Sequence, residues 1–257
     1  ITQVHEDYAY AGAEILTANT FRTQERTLGK ARRNRGGESL TQLAVALAKK
    51  AARATTRHVW VAGSVSPLED CYRPDLVPDQ ASLENEHAEH IGYLHNAGVD
   101  LILIETMNKV CEVDAAAHAA AESGLPFFSS FVCGQNARLL SGEHLRDAAQ
   151  VALAHGALCV MVNCLSIHHV PECLAVLKSL IPRTAGPILK RAYFGAYPNL
   201  GAPKQGRWTE PCTPEQFSRH GRAWMSAGAR VLGGCCGTTP LHIRALSQCR
   251  RLQEPNS

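Results

Sequence analysis

Residues 97–106 read AGVDLILIET. The phrase falls into two parts. Gly98 stands where a helix would end, because glycine takes the positive φ of a helix C-terminus without a Cβ clash. An aliphatic run follows that is continuous rather than alternating, which is how a strand buried on both faces of a parallel sheet reads. The same joint recurs as AGAEIL from Ala11, SGLPFF from Ser123, HGALCV from His155 and AGARVL from Ala227. The chain is a weak internal repeat of helix followed by strand.

Seven strand-like segments emerge, over residues 14–21, 58–65, 99–106, 126–133, 157–164, 193–199 and 229–236. Between them the apolar residues recur with helical spacing: Leu40, Leu43, Ala44, Leu47 and Ala48 form one stripe, and Leu145, Ala148, Ala149 and Ala152 another. Pro214 and Pro240 each follow a threonine, Thr213 and Thr239, as at a capped helix start. The count is eight helices and seven strands, beginning with a helix over Thr2–Ala11. A (β/α)₈ barrel of the TIM type has eight of each and starts with a strand, so the expectation is such a barrel with its first strand upstream of Ile1. An open doubly wound sheet is the alternative, and it would carry a glycine-rich phosphate loop after its first strand; no GxGxxG or Walker phrase is present. The whole span, 1–257, reads as one N-terminally incomplete domain.

With 45% hydrophobic and 19% charged residues, the 257-residue chain is of ordinary globular composition. The aliphatic stretches, such as the one around Leu101 to Ile104, are far short of the roughly 20 residues a membrane helix needs. Net charge is +3 and the charges are interspersed, without the basic stripe of a nucleic-acid binder. The densest basic run, KARRNR from Lys30, reads as a solvated loop. No nucleic acid and no membrane is expected as partner. Homo-oligomer formation stays open.

Ten cysteines in a chain of this size, without a secretory signal, read as reduced thiols of a cytoplasmic protein. In a barrel, active sites form at the C-terminal ends of the strands. Cys164 ends one strand, and Cys235 and Cys236 end the last. Three thiolates meeting over the mouth would suit zinc and leave a fourth position open. On spacing alone, three small buried hydrophobes weigh as much. Cys71, Cys111, Cys133, Cys159, Cys173, Cys212 and Cys249 are read in that plain way. Cys159, five residues before Cys164, is expected on the opposite side of its strand. His168 and His169 read as an exposed helix start rather than as ligands.

These motifs resemble a known family. GGCCGTTP over residues 233–240, followed by His242 and Ile243, is similar to the C-terminal zinc signature of the homocysteine S-methyltransferases. Val162-Asn163-Cys164 resembles the family's other ligand motif. HEDYAYAGA (residues 5–13), TANTF (17–21), IETM (104–107) and Tyr197-Pro198-Asn199 extend the likeness along essentially the whole chain. The resemblance implies a zinc site of Cys164, Cys235 and Cys236 and a methyl transfer to the homocysteine thiolate, giving methionine. It implies that Glu105 pairs with the homocysteine ammonium. Thr17 and Thr20 are candidates to bond the carboxylate or shape the pocket. Asn163 would orient a ligand and Tyr197 would line the donor side, while Trp208, in the loop after the seventh strand, reads equally as lying over the site or as packed on the surface. The resemblance to single-domain members points to a sulfonium donor, S-methylmethionine or S-adenosylmethionine. Betaine is the alternative donor, and a non-catalytic, degenerate thiol-zinc barrel the alternative of a different class. Family members begin with a strand bearing an Asp-Gly phrase whose acid also binds homocysteine, and nothing matching it precedes Ile1.

Overall fold

The computed structural model describes residues 1–32, 36–181, 192–201, 203–204 and 207–251. Its strands are β1 (Ile15–Thr17), β2 (Trp60–Val65), β3 (Leu101–Met107), β4 (Phe127–Phe131), β5 (Cys159–Ser166), β6 (Tyr193–Asn199), β7 (Pro203–Lys204), β8 (Arg207–Trp208) and β9 (Val231–Leu232). β7 and β8 form a short antiparallel hairpin. The other seven pair in parallel, in sequence order, with β1 and β9 at the two ends of the sheet. The helices between them are α1 (Thr2–Ala11), α2 (Glu25–Lys30), α3 (Gly37–Arg53), α4 (Gln80–Ala97), α5 (Val110–Glu122), α6 (Leu145–Ala154), α7 (Val170–Leu180), α8 (Pro214–Ala227) and α9 (Pro240–Arg251). The sheet curls in the manner of a barrel, so the first and last helices meet. The Tyr8 hydroxyl donates to the Thr238 carbonyl at 3.1 Å, and the Ser247 hydroxyl to that of Ala11 at 3.2 Å.

All five glycines of the helix-to-strand joints, Gly12, Gly98, Gly124, Gly156 and Gly228, take positive φ between 72° and 112°. A side chain there would be strained, which is why the joint repeats in the sequence. Gly195 serves a different need: a Cβ on it would lie 1.9 Å from the Val231 carbonyl oxygen, so β6 and β9 pair only because it is absent.

Alternation along the strands separates two apolar layers. Ile102, Ile104, Val160 and Val162 point outward and pack with the helices, while Ala62, Leu101, Leu103, Cys159 and Met161 form a cluster made of strand residues alone, inside the curl. Fully burying a side chain such as Ile104 stabilises the fold by about 1.5–3 kcal/mol. The same alternation carries Glu105 inward after Leu101 and Leu103.

Three expectations need correction. The first strand ends at Thr17, where the chain turns tightly (Thr20 N–H to Ala18 O, 2.7 Å), and the last is confined to Val231–Leu232 because Gly233 and Gly234 begin a turn. A ninth helix, the short α2, was not anticipated among the described residues. The buried face of α3 is Thr41, Ala44, Val45, Ala48 and Ala51, whereas Leu43 is 56% exposed. The leucine stripe misphased this helix because small residues, not leucines, fit against β1 and β2. The Leu145 stripe of α6 is buried as read. Lys30 to Arg32 are exposed, and the rest of that basic run lies outside the described residues. Among the described residues no helix is long and apolar enough to cross a membrane.

Candidate metal centre

The sulfurs of Cys164, Cys235 and Cys236 lie together over the C-terminal ends of the strands. Their separations are 3.3 Å (Cys164 to Cys235), 3.9 Å (Cys164 to Cys236) and 3.9 Å (Cys235 to Cys236). A tetrahedral zinc with bonds near 2.3 Å holds its sulfurs about 3.8 Å apart. The three thiols therefore fit three corners of a zinc tetrahedron with little movement.

Local bonding explains how two adjacent cysteines reach one point. The Cys235 N–H donates to the Pro198 carbonyl at 2.8 Å, and the Cys236 carbonyl accepts from Leu200 N–H at 3.0 Å, so the end of β6 grips this turn from both sides. Thr238 closes it with its hydroxyl on the Cys235 carbonyl, 2.7 Å away. A Cβ on Gly234 would lie 2.4 Å from the Thr238 Oγ1, so the turn leaves no room for a side chain there.

Cys164 is aimed by a backbone irregularity. Strict alternation after Cys159, Met161 and Asn163, all inward, would point Cys164 out toward the helices. Instead the register of β5 against β6 shifts between Asn163 and Ser166, and Cys164 takes φ 55°, in the left-handed region. A bulge re-aims a side chain in this way, and a non-glycine residue there stores strain that its surroundings must hold. Asn163 supplies the hold. Wholly buried, it accepts the Thr106 N–H at 3.0 Å and the Ser130 hydroxyl at 2.8 Å, and donates to the Thr106 hydroxyl at 2.8 Å. Thr106, itself at φ 64°, marks a matching irregularity in β3. The parity reading of Cys159 and Cys164 thus needed a bulge that period-2 reasoning does not contain.

The electrostatics of the cluster favour one thiolate in the absence of metal. Hydrogen bonding from Cys164 and Cys235 draws the Cys236 thiol down to about 3, against a penalty from burial. The same bonds, with burial, push Cys235 well up. A fourth group joins them that the sequence did not signal: the Tyr72 hydroxyl, from the loop after β2, lies 3.2 Å from the Cys164 sulfur. No periodicity or spacing marks a residue on an irregular loop.

Glu105 sits inside the curl, 8% exposed. It accepts the Ser64 hydroxyl at 2.5 Å and the Tyr197 hydroxyl at 3.2 Å. Burial raises its pKa against those two bonds, and the Cys236 thiolate nearby adds to the rise. A cavity of about 330 Å³ opens beside it, lined also by Ser64, Thr17, Asn19, Phe21 and His5. Burial, then the charge of Glu105, raises the Tyr197 phenol. Thr17 faces the cavity, but the Thr20 hydroxyl is fully engaged with the Ser64 backbone, donating to its carbonyl and accepting from its N–H, each at 2.9 Å. Thr20 shapes the pocket by fixing Ser64. Trp208 falls on the β7–β8 hairpin, and its side chain lies outside the described residues. His168 is exposed in a 3-10 turn leading into α7, and His169 pairs with Glu172 at 3.2 Å. Of the remaining cysteines, Cys71, Cys133, Cys159, Cys173 and Cys249 are buried, and Cys111 and Cys212 are half-buried.

A curled parallel sheet with a buried acid and three sulfurs at its C-terminal ends defines a barrel-type α/β protein able to hold a thiolate-bound metal. Residues 1–250 match the family model described as homocysteine S-methyltransferase. The chain belongs to that family. It is 26% identical to homocysteine S-methyltransferase YbgG of Bacillus subtilis, over 98% of this chain and 84% of the relative. It is 28% identical to the homocysteine S-methyltransferase of Escherichia coli, over 96% and 83%. The crystal structure of the metallated homocysteine methyltransferase MmuM from Escherichia coli superposes with a TM-score of 0.81 at 27% identity, covering 96% of this chain and 83% of that one.

Proposed function

We propose that this chain transfers a methyl group from a sulfonium donor, S-methylmethionine or S-adenosylmethionine, to the sulfur of homocysteine, giving methionine, with zinc held by Cys164, Cys235 and Cys236. The observation that carries this reading is the spacing of the three sulfurs, 3.3 to 3.9 Å, at the strand ends beside a buried acid. Zinc held there would keep an incoming thiol deprotonated at neutral pH, as coordination does in general.

The chain's own residues bind and align. Glu105, fixed by Ser64 and Tyr197, is placed to take the substrate ammonium, and its raised pKa falls back when a cation pairs with it. Thr17 offers a hydroxyl at the cavity wall to the carboxylate. Asn163 keeps Cys164 aimed at the other two sulfurs. In the transfer, a lone pair of the homocysteine sulfur forms the new S–CH₃ bond while the methyl–sulfonium bond breaks. The leaving thioether takes that electron pair and becomes neutral. No proton moves at the carbon, so no general base is needed there, and alignment is the main contribution of the protein. A sulfonium fits this economy of groups, since it carries its own charge and leaves without an acid. The relatives are matched over most of their own length, which supports carrying their small-molecule substrate over to this chain.

The test is methionine formation from homocysteine with each of S-methylmethionine, S-adenosylmethionine and betaine, beside zinc content of the reduced parent and of Cys236→Ala. About one zinc in the parent, much less in the variant, and turnover with a sulfonium donor are expected. Turnover with betaine alone would overturn the donor. No zinc uptake by freshly reduced parent would overturn the mechanism.

A further inference from the structure

The loop between β2 and α4 brings Tyr72 to Cys164, and two buried side chains from the end of β3 and the start of α5 reach into that loop. Asn108, 0% exposed, donates its amide Nδ2–H to the Cys71 carbonyl at 2.8 Å, one residue before Tyr72. Glu112, also 0% exposed, accepts the Leu68 N–H at 2.8 Å and faces the buried His87 Nε2 at 3.3 Å. Neither residue belongs to the mechanism above. Each also leaves an oxygen, Asn108 Oδ1 and Glu112 Oε2, buried without a partner. An amide and a carboxylate in such surroundings destabilise the fold relative to apolar residues of the same volume. Holding a loop against a working sulfur is a role that would keep them there.

We propose that Asn108 and Glu112 are positioning residues that clasp this loop and hold the Tyr72 hydroxyl against Cys164. Two residues before Asn108 lies Thr106, which is bonded to Asn163 and so to the backbone that aims Cys164. One strand end therefore sets both the direction of the Cys164 sulfur and the group that covers it. Tyr72 is 52% exposed, so its own packing does not fix it in place. Arg22 and Gln24 also bond the loop, at the Pro67 and Glu69 carbonyls, but the Asn108 bond falls on the residue next to Tyr72. Cys164 is taken here as a working sulfur, as in the proposed function.

The test uses the full chain, reduced and metal-free, exposed briefly to iodoacetamide, with alkylation of Cys164 read by peptide mass spectrometry. Tyr72→Ala uncovers the thiol and is expected to speed its alkylation. Asn108→Ala and Glu112→Ala each remove one buried hydrogen bond to the loop and should speed it about tenfold. Glu112→Gln retains an oxygen for the Leu68 N–H and should behave as the parent. Combining Glu112→Ala with Tyr72→Ala should add nothing to Tyr72→Ala alone, because both act through the same hydroxyl. A general loosening of the fold would instead multiply the two effects, and that result would overturn the proposal. So would a parent-like rate in the folded Asn108→Ala protein, which carries the test if Glu112→Ala does not fold. Absence of methionine formation by the parent would remove the reaction and leave the clasp standing, whereas unchanged Cys164 trapping would remove the clasp and leave the reaction.

Discussion

Replacing Asn163 by alanine separates the scaffold of the site from its sulfurs. The side chain makes three buried hydrogen bonds, to Thr106 N, Thr106 Oγ1 and Ser130 Oγ, at 2.8 to 3.0 Å. The Ser130 hydroxyl can rotate toward the Tyr197 hydroxyl, with which it already interacts, so its loss is small. The Thr106 N–H cannot rotate, and Thr106 is 2% exposed. Leaving that donor without an acceptor costs about 1–3 kcal/mol. The emptied volume adds about 1–2 kcal/mol. The expected loss of stability is about 3 kcal/mol, or roughly 6–12 °C in Tm for a chain of this size. Cys164, next in sequence and held at φ 55°, then loses the neighbour that fixes its direction. Zinc affinity should fall about 10–100-fold, the usual cost of removing a group that orients a ligand. Thermal unfolding of the reduced, metal-free protein gives the first quantity, and competition with a chromophoric chelator gives the second. A variant that melts several degrees lower yet binds zinc as the parent does would show that the bulge holds Cys164 unaided, and the argument from Asn163 would fail.

Glu105→Gln should stabilise the protein at neutral pH. The folded state holds the Glu105 proton more tightly than the unfolded chain does, so the stabilisation this gives is complete at low pH and is lost as pH rises through the raised folded pKa. The gain of the Gln variant in Tm should therefore be clear at pH 7 and vanish near pH 4, the range of an unperturbed carboxyl, while homocysteine binding weakens at pH 7, where the parent can supply a carboxylate. A Gln variant less stable than the parent at pH 7 would contradict this. Gly195→Ala brings a methyl onto the Val231 carbonyl and should break the β6–β9 pairing, costing about 3 kcal/mol or more and, with it, the hold on Cys235 and Cys236. Chelator competition should show both effects together. Thr213→Ala removes the reciprocal cap in which Thr213 and Gln216 bond each other's backbone N–H. It should cost about 1 kcal/mol, seen in denaturant unfolding, with zinc content untouched.

What could be read in advance follows from what each signal encodes. The strands were legible because a parallel strand buried on both faces leaves an unbroken apolar run, and the joints because only glycine takes the turn between helix and strand. Glu105 drew notice through the resemblance of its IETM phrase, and the structure buries it inside the curl. The face of α3 was misread, since leucines dominated a stripe whose tight packing demands alanine, valine and threonine. Cys164 faces its partners through a left-handed residue and a register shift, and neither leaves a trace in a pattern of period two. Tyr72, Asn108 and Glu112 act through a loop held by tertiary bonds. A polar residue one place beyond a strand and an acid in the first turn of a helix are ordinary surface positions until the loop above them is seen.

The strands pair in the order in which they are synthesised, so each can join the sheet as it emerges. The sulfurs cannot follow that order. Cys164 and Cys236 are separated by 72 residues, an interval of about 4–14 s at ordinary rates of translation. For that time the C-terminal end of β5 presents one thiol of the three, Cys164, and a single thiol holds a metal ion poorly. The complete ligand set exists only after β6 and β9 have docked and the turn at Cys235 has closed on Pro198. A metal ion held by all three sulfurs would therefore report that the far end of the sheet has been assembled.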